Sequence, residues 1–302
     1  MRNRDGKNAR ESRISVAATG ATTGLTSRRR LRDARGSLIL IGGGTNPAGA
    51  PIASFIEMTG AKDGAPIVGF TTASSQVSVA RDMWIADLKA AGAAEVLIPM
   101  VESRDQACDP EIVRQARSAR GIFLGGGDQV KLVSVVGGTP LQEAIRDAYI
   151  DGAIICGTSA GAAALTKTTL AGNEVDEAGK LVEQYIGPGL GLLGYHTLID
   201  THFTQRRRLY RLFVAIAEFP ALMGLGIDED TALIVKHEIA TVIGKGAMTF
   251  VDGSSVRFNN SAEVTRGPEL TISALRVGIV GTGQKFNLRK REVEALIPDS
   301  SA

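Results

Sequence analysis

The chain has 302 residues, of which 44% are hydrophobic and 22% charged, with 36 glycines and only 5% aromatics. Such a composition fits a folded globular chain rich in tight turns and excludes a low-complexity or collagen-like one. The net charge of +2 hides an asymmetry: residues 1–36 hold ten Lys/Arg against three Asp/Glu, which leaves 24 basic and 29 acidic residues from 37 onward, so no nucleic-acid surface is expected of the body.

Residues 1–36 are rich in Arg, Ser, Thr and Gly without a sustained apolar period, and read as a disordered basic tail. From Ser37 onward, short apolar runs alternate with segments of helical period. Leu38–Gly42, Pro66–Phe70, Glu95–Pro99, Gly121–Leu124 and Gly152–Cys156 read as strands, and helices are expected near 49–60, 78–92, 110–118 and 129–150. Continuous apolar strands separated by helices imply an α/β fold, a mostly parallel sheet sandwiched by helices. Turn signals follow the strands at Gly42-Gly-Gly-Thr, Thr71-Thr-Ala-Ser, Gly125-Gly-Gly-Asp-Gln and Gly157-Thr-Ser-Ala-Gly. In open α/β sheets that edge is where sites form. After about Met223 the runs Leu233–Val235, Thr241–Ile243, Met248–Val251 and Val277–Val280 read as a β-rich C-terminal extension packed on the same sheet. One domain is expected over 37–297, followed by a tail at 298–302.

Two cysteines, Cys108 and Cys156, cannot build a disulfide framework, and no apolar run reaches the roughly 18 residues of a membrane span. With no apolar segment ahead of a cleavage site, a cytoplasmic, non-membrane protein is expected. The histidines and cysteines are too scattered for metal-ligand spacing, so neither metal nor cofactor is expected.

Gly157-Thr-Ser159-Ala-Gly161 fits G-x-S-x-G between a strand and an Ala-rich run. A serine on such an elbow needs small neighbours because the backbone turns sharply, and the N–H of Ala160 would face a developing oxyanion. A Gly/Ser turn that caps a helix fits the same letters. Serine needs a base, and only His196, His202 and His237 exist. His202 stands among polar residues at the end of an apolar run, whereas His196 reads as structural and His237 as surface. Taking Gln205–Phe219 as a helix, Leu209, Leu212, Phe213 and Ile216 form one stripe, flanked by Arg208 and Arg211. That is either a solvated face or a set of forks for carboxylates of an anionic substrate. Gly125-Gly-Gly-Asp-Gln129 matches no phosphate-loop pattern and can instead supply a second oxyanion N–H. Gly226-Ile-Asp-Glu-Asp-Thr231 offers three carboxylates, Asp228, Glu229 and Asp230, any of which could orient the base.

In order, Gly125–Gln129, Gly157–Ala162, Asp200-Thr-His-Phe-Thr-Gln-Arg206 with Arg208 and Arg211, and Gly226–Ala232 resemble the cyanophycinase family of serine peptidases, which includes aspartyl dipeptidases. The resemblance implies a class I glutamine-amidotransferase-like sandwich. It implies Ser159 as nucleophile, His202 as base and Glu229 as triad acid, with the N–H groups of Gly127 and Ala160 as oxyanion hole. Gln129, Asp200, Thr201, Arg206, Arg208 and Arg211 match substrate-binding positions, although the best-known members have Gln where Thr201 stands. Expected substrates are cyanophycin, a poly-aspartate bearing arginine on each side chain, or shorter β-aspartyl peptides, and a homodimer is implied. Arginines would meet the substrate's carboxylates, and Asp200 and Gln129 its guanidinium. Two other readings stay open: an α/β-hydrolase-type esterase using Ser159, Asp228 and His237, and a non-catalytic binder of anionic peptides.

Overall fold

The computed structural model describes residues 31, 33–175, 181–263 and 270–294. The expected tails, 1–36 and 298–302, lie outside these apart from residues 31 and 33–36. In chain order the first half runs β1 (Ser37–Ile41), α1 (Ala50–Thr59), β2 (Ile67–Phe70), α2 (Val77–Ala90), β3 (Val96–Leu97), α3 (Pro110–Ser118), β4 (Gly121–Leu124), α4 (Gln129–Val136), α5 (Pro140–Asp151), β5 (Ile154–Thr158) and α6 (Ala160–Ala164). The second half is mostly strand: β6 (Thr168–Val175), β7 (Leu181–Pro188), β8 (Thr197–Thr201), α7 (Leu209–Glu218), β9 (Met223–Ile227), β10 (Thr231–Lys236), β11 (Ile239–Gly244), β12 (Ala247–Asp252), β13 (Phe258–Asn259), β14 (Ile272–Ser273), β15 (Arg276–Gly281), β16 (Lys285–Asn287) and β17 (Glu292–Glu294).

Among the described residues the main sheet has the order β17-β16-β11-β10-β1-β5-β4-β2-β3. The neighbours β1, β5, β4, β2 and β3 are parallel, while β10, β11, β16 and β17 pair antiparallel. β1 shows why its apolar run is unbroken. Every residue is buried, with Leu38 and Leu40 in one core and Ile39 and Ile41 in the other, because successive side chains leave opposite faces of a strand. Ile39 and Ile41 join Ile52, Phe55, Trp84 and Leu88 from α1 and α2; Leu38 and Leu40 join Leu132, Leu141 and Ile145 from α4 and α5. Each such side chain taken from water contributes about 1.5–3 kcal/mol.

The C-terminal strands divide in a way the sequence pattern does not reveal. β10, β11, β16 and β17 extend the main sheet, but β9 and β12 join β8 and β15 in a separate four-stranded sheet of order β15-β12-β9-β8. One face of that sheet, with Ile199, Leu225, Met248 and Phe250, shares the core of Leu233, Val242 and Phe286 on the main sheet. Its other face, with Leu198 and Val251, packs on Leu212 and Ile216 of α7. The helix expected over 129–150 is two helices. Gly137 ends α4, Gly138 takes φ +70°, and Pro140 restarts the chain at the first turn of α5. The β6–β7 hairpin escapes the sequence reading because its Thr, Gly and Asn residues give no clean alternation. No helix among the described residues is long and apolar enough to cross a membrane.

Candidate active site

β5 lies between β1 and β4 and delivers Ser159 to the carboxyl edge of the sheet. There the chain turns with Ser159 at φ 52°, ψ −116°, a sparsely populated conformation of about 1–3 kcal/mol strain, held because its N–H donates to Ile41 O at 2.9 Å and its carbonyl accepts from Ala163 at 3.0 Å. Only glycine fits either side. A Cβ on Gly157 would lie 2.5 Å from Gly161 O, and one on Gly161 would lie 2.2 Å from Leu124 O. The small residues of the motif are therefore demanded by the backbone crossing.

His202 follows β8, the edge strand of the second sheet, and also adopts positive φ, 51°. Its N–H donates to Gly42 O at 2.6 Å, which fastens the second sheet to the end of β1. The imidazole is buried, its side chain 11% exposed, and its Nε2 lies 2.9 Å from Ser159 Oγ. On its other side Nδ1 lies 2.6 Å from Glu229 Oε1. An ionised carboxylate only accepts, so this contact places the proton on Nδ1 and leaves the Nε2 lone pair for the serine hydroxyl. Burial pushes the His202 pKa below its ordinary value; the Glu229 hydrogen bond works the other way, and the nearby charges of Arg206 and Arg208 reinforce the lowering. The ring is thus poised as a neutral base.

The three clustered carboxylates have separate surroundings. Asp228 accepts from the N–H and hydroxyl of Thr204, at 3.1 and 2.7 Å, and from Ala247 N at 3.2 Å. Asp230 pairs with Lys245 at 2.7 Å and donates its N–H to Gly43 O at 2.9 Å. Glu229 alone meets the imidazole, and its N–H is held by Gln205 Oε1 at 3.1 Å. His237 stands in the turn between β10 and β11, at the far end of the strand whose Ala232 lies level with Ile41 and Thr158. At about 3.3 Å per residue it is more than 15 Å along the sheet from Ser159, so the esterase arrangement of Ser159, Asp228 and His237 is not formed. His196, read as a satisfied structural residue, is exposed in the turn before β8.

The arginines adjoin this site, but the helix expected over Gln205–Phe219 begins only at Leu209, with Arg206 and Arg207 in turns and Arg208 as N-cap. Asp200 is buried beneath them. Arg211 spans its carboxylate, with Nε 2.9 Å from Oδ2 and Nη2 against Oδ1; Arg208 Nη1 reaches Oδ1 at 3.3 Å and Thr201 O at 2.7 Å; and Thr201 N donates to Oδ1 at 2.9 Å. Asp200 therefore anchors guanidiniums of its own chain, and its contacts do not support the expected role of binding a substrate guanidinium. Burial lowers the Arg208 pKa to about 10, against the pull of Asp200. Arg206 is exposed, with no side-chain hydrogen bond among the described residues. Gln129 uses its side-chain N–H to hold Leu170 O of β6. In the glycine loop, Gly126 sits against Ser159, since a Cβ there would lie 3.3 Å from Ser159 Cβ, and Gly127 takes φ +138° with its Cα pressed on Ala73 O. Neither Gly126 nor Gly127 donates its N–H to a backbone carbonyl among the described residues. Ala160, buried at the start of α6, follows the serine. Cys156 is buried in the middle of β5, and burial raises its thiol pKa, as suits a small apolar residue.

The sequence reading missed Gly43, Gly44, Gln205 and the Thr45–Thr158 hydroxyl pair, 2.7 Å apart beside the elbow. The run of glycines after β1 reads in the sequence only as a turn signal, because what it packs against depends on where the fold brings His202 and Glu229.

A family model described as Peptidase family S51 matches residues 38–243. A cyanophycinase from Geminocystis herdmanii is 32% identical over 262 residues, covering 85% of this chain and 96% of that protein. The Nostoc sp. cyanophycinase is 33% identical over 74% of this chain and 75% of its own length, and that of Synechococcus elongatus is 37% identical over 67% and 63%. Among solved structures, a peptidase from an acI-B1 actinobacterium superposes with TM-score 0.62 at 20% identity, covering 84% of this chain and 98% of its own. A putative peptidase E from Listeria monocytogenes gives TM-score 0.50 at 17% identity, covering 70% and 98%. At those identities the two structures speak for the fold.

Proposed function

The chain belongs to peptidase family S51 and is a serine-type peptidase, and from that premise we propose that it hydrolyses cyanophycin to β-Asp-Arg dipeptides through an acyl-enzyme. The observation that carries the chemistry is the relay from Ser159 Oγ through His202 to Glu229, at 2.9 and 2.6 Å. Ser159 attacks the carbonyl carbon while His202 Nε2 takes the hydroxyl proton. Glu229 stabilises the resulting imidazolium, which then protonates the leaving amine. Water enters, loses a proton to the same nitrogen, and releases the acyl group. The N–H groups of Ala160 and Gly127 are the proposed oxyanion donors, and each is worth about 10²–10³ in rate.

The substrate assignment rests on the relatives' names and on the arginines beside the relay. Arg206 offers an open fork for substrate carboxylate, and Arg208 and Arg211 add charge from fixed positions. Asp200 and Thr201 serve by holding those two arginines, and Gln129 borders the site through its bond to β6. A dipeptidase acting on short isoaspartyl peptides is the second reading, favoured by the Thr201 departure and by Asp200 being taken up by Arg208 and Arg211 and not left for a substrate guanidinium. The same family likeness carries the proposal of a homodimer.

The test is product mass spectrometry with cyanophycin and with short isoaspartyl peptides, using the wild type and Ser159→Ala. Release of β-Asp-Arg from polymer by wild type only is the expected result. Cleavage of the short peptides alone would select the dipeptidase, and undiminished release by folded S159A would remove Ser159 as nucleophile.

A further inference from the structure

The last residue of β1 and the loop that follows it touch every member of the relay. Ile41 O accepts from Ser159 N at 2.9 Å, Gly42 O from His202 N at 2.6 Å, and Gly43 O from Asp230 N, next to Glu229, at 2.9 Å. Gly43 and Gly44 both have positive φ, 93° and 56°. Their α-carbons lie directly on the two side chains of the relay. A Cβ on Gly43 would fall 2.2 Å from His202 Cε1, 2.4 Å from Nε2 and 2.9 Å from Nδ1; one on Gly44 would fall 2.6 Å from Glu229 Oε2. The space denied to a side chain is thus the arc of the imidazole that carries both hydrogen-bonding nitrogens.

We propose that Gly43 is a positioning residue for the reaction: its bare α-carbon is the wall against which the His202 ring is set so that Nε2 meets Ser159 while Nδ1 meets Glu229, and Gly44 plays the same part for the carboxylate. The proposal rests on the reading of Ser159, His202 and Glu229 as the relay. A methyl at 43 must push the ring sideways, and because it stands between the two nitrogens it disturbs both hydrogen bonds at once. A misplacement of about 1 Å at a reacting group can cost about 10²-fold.

Three substitutions in the full-length chain test this: Gly43→Ala, Ser159→Ala, and Gly64→Ala as control. Gly64 also has positive φ, 90°, but a Cβ there would meet nothing within 4 Å, so it reports backbone strain without the clash. The readouts are kcat and KM on the β-aspartyl substrate that wild type cleaves, the acid limb of kcat/KM against pH, and the downfield proton resonance of His202 Nδ1–H. For G43A the expected result is a kcat loss of about 100-fold or more with KM within about threefold, a displaced acid limb, and a shifted or lost resonance; G64A should leave all four in place. Should G43A fail to fold, Gly44→Ala carries the same expectations. A folded G43A, or G44A in its place, that keeps kcat within threefold and the wild-type resonance overturns the proposal. S159A separates the two levels: if it keeps wild-type turnover the relay itself is wrong, whereas an inactive S159A beside an active G43A removes only the role of the glycines.

Discussion

Ser159 Oγ and His202 Nε2 stand 2.9 Å apart although 43 positions and two different sheets separate them. Both residues sit at positive φ, on turns stitched to the same strand end by Ile41 O and Gly42 O. The contact is therefore fixed by backbone, and its protonation by surroundings.

A first prediction concerns pH. His202 must be neutral to accept the serine proton, so activity is present above its pKa and lost as pH falls through it. Burial lowers that pKa, and so do the charges of Arg206 and Arg208. The acid limb of kcat/KM should accordingly lie below the ordinary histidine value of about 6.5. Arg206→Ala removes a neighbouring positive charge, so the limb should move to higher pH, as a pH–rate series on both proteins would show.

The crowded carboxylates of the β9–β10 turn should separate by function. Glu229→Gln replaces the carboxylate that faces Nδ1–H with an uncharged amide whose NH2 can donate to Nδ1 and hold the wrong tautomer, and it should lower kcat by about 10³–10⁴-fold with little change in stability. Asp228→Asn leaves the imidazole's partner in place but weakens the acceptor of Thr204 and Ala247. A stability loss of about 1–3 kcal/mol is expected there, with kcat much less affected. Urea unfolding and steady-state kinetics on both variants would show the crossed pattern.

Asp200 is the counter-ion of two guanidiniums whose side chains are only 19% and 17% exposed. Asp200→Ala removes the buried carboxylate that Arg208 and Arg211 share and should cost about 3–5 kcal/mol in chemical denaturation. KM for an anionic substrate should rise as well, because the forks lose their fixed direction. An unchanged KM in folded D200A would show that Arg208 and Arg211 do not meet the substrate.

A second buried carboxylate has no part in the chemistry. Asp252, at the end of β12, is fully buried between Ser254, Arg276 and Arg291, with Arg291 Nη1 at 2.5 Å and Arg276 Nη1 at 3.3 Å. Burial alone would raise its pKa, but the Ser254 and Arg291 hydrogen bonds outweigh that and the net shift is downward. A lowered pKa stabilises the fold above the unfolded value of about 3.9, and that contribution disappears as pH falls through the folded value. Asp252→Ala should therefore lose about 3 kcal/mol near neutrality. The gap to wild type should narrow in acid below about pH 3.9, with kcat unchanged in the protein that stays folded.

Much of this was legible in the sequence where one physical demand left one pattern. Strands buried on both faces must be continuously apolar, and β1, β2, β4 and β5 were. The elbow was visible because a crossing backbone tolerates nothing larger than glycine at 157 and 161. Gly226–Thr231 was legible as an acidic turn, yet not which carboxylate faces His202, since that depends on Thr204 and Lys245 claiming Asp228 and Asp230. The second sheet was hidden because alternation along a strand says which face is buried and never which strand lies beside it. The sequence pattern starts α7 four residues early for a related reason: arginines suit a helix well, but here three of them precede it, tied to Asp200 or left to solvent.

The β9–β10 turn passes from the four-stranded sheet to the main sheet, and the relay does the same, with Ser159 on one layer and His202 on the other. Chemistry in this molecule thus gauges interlayer registry: a slip of the two slabs too small to melt either would part the proton donor from its acceptor. On a urea gradient, turnover should fade at a lower concentration than far-UV ellipticity, with the native helices and strands still present in a silent enzyme.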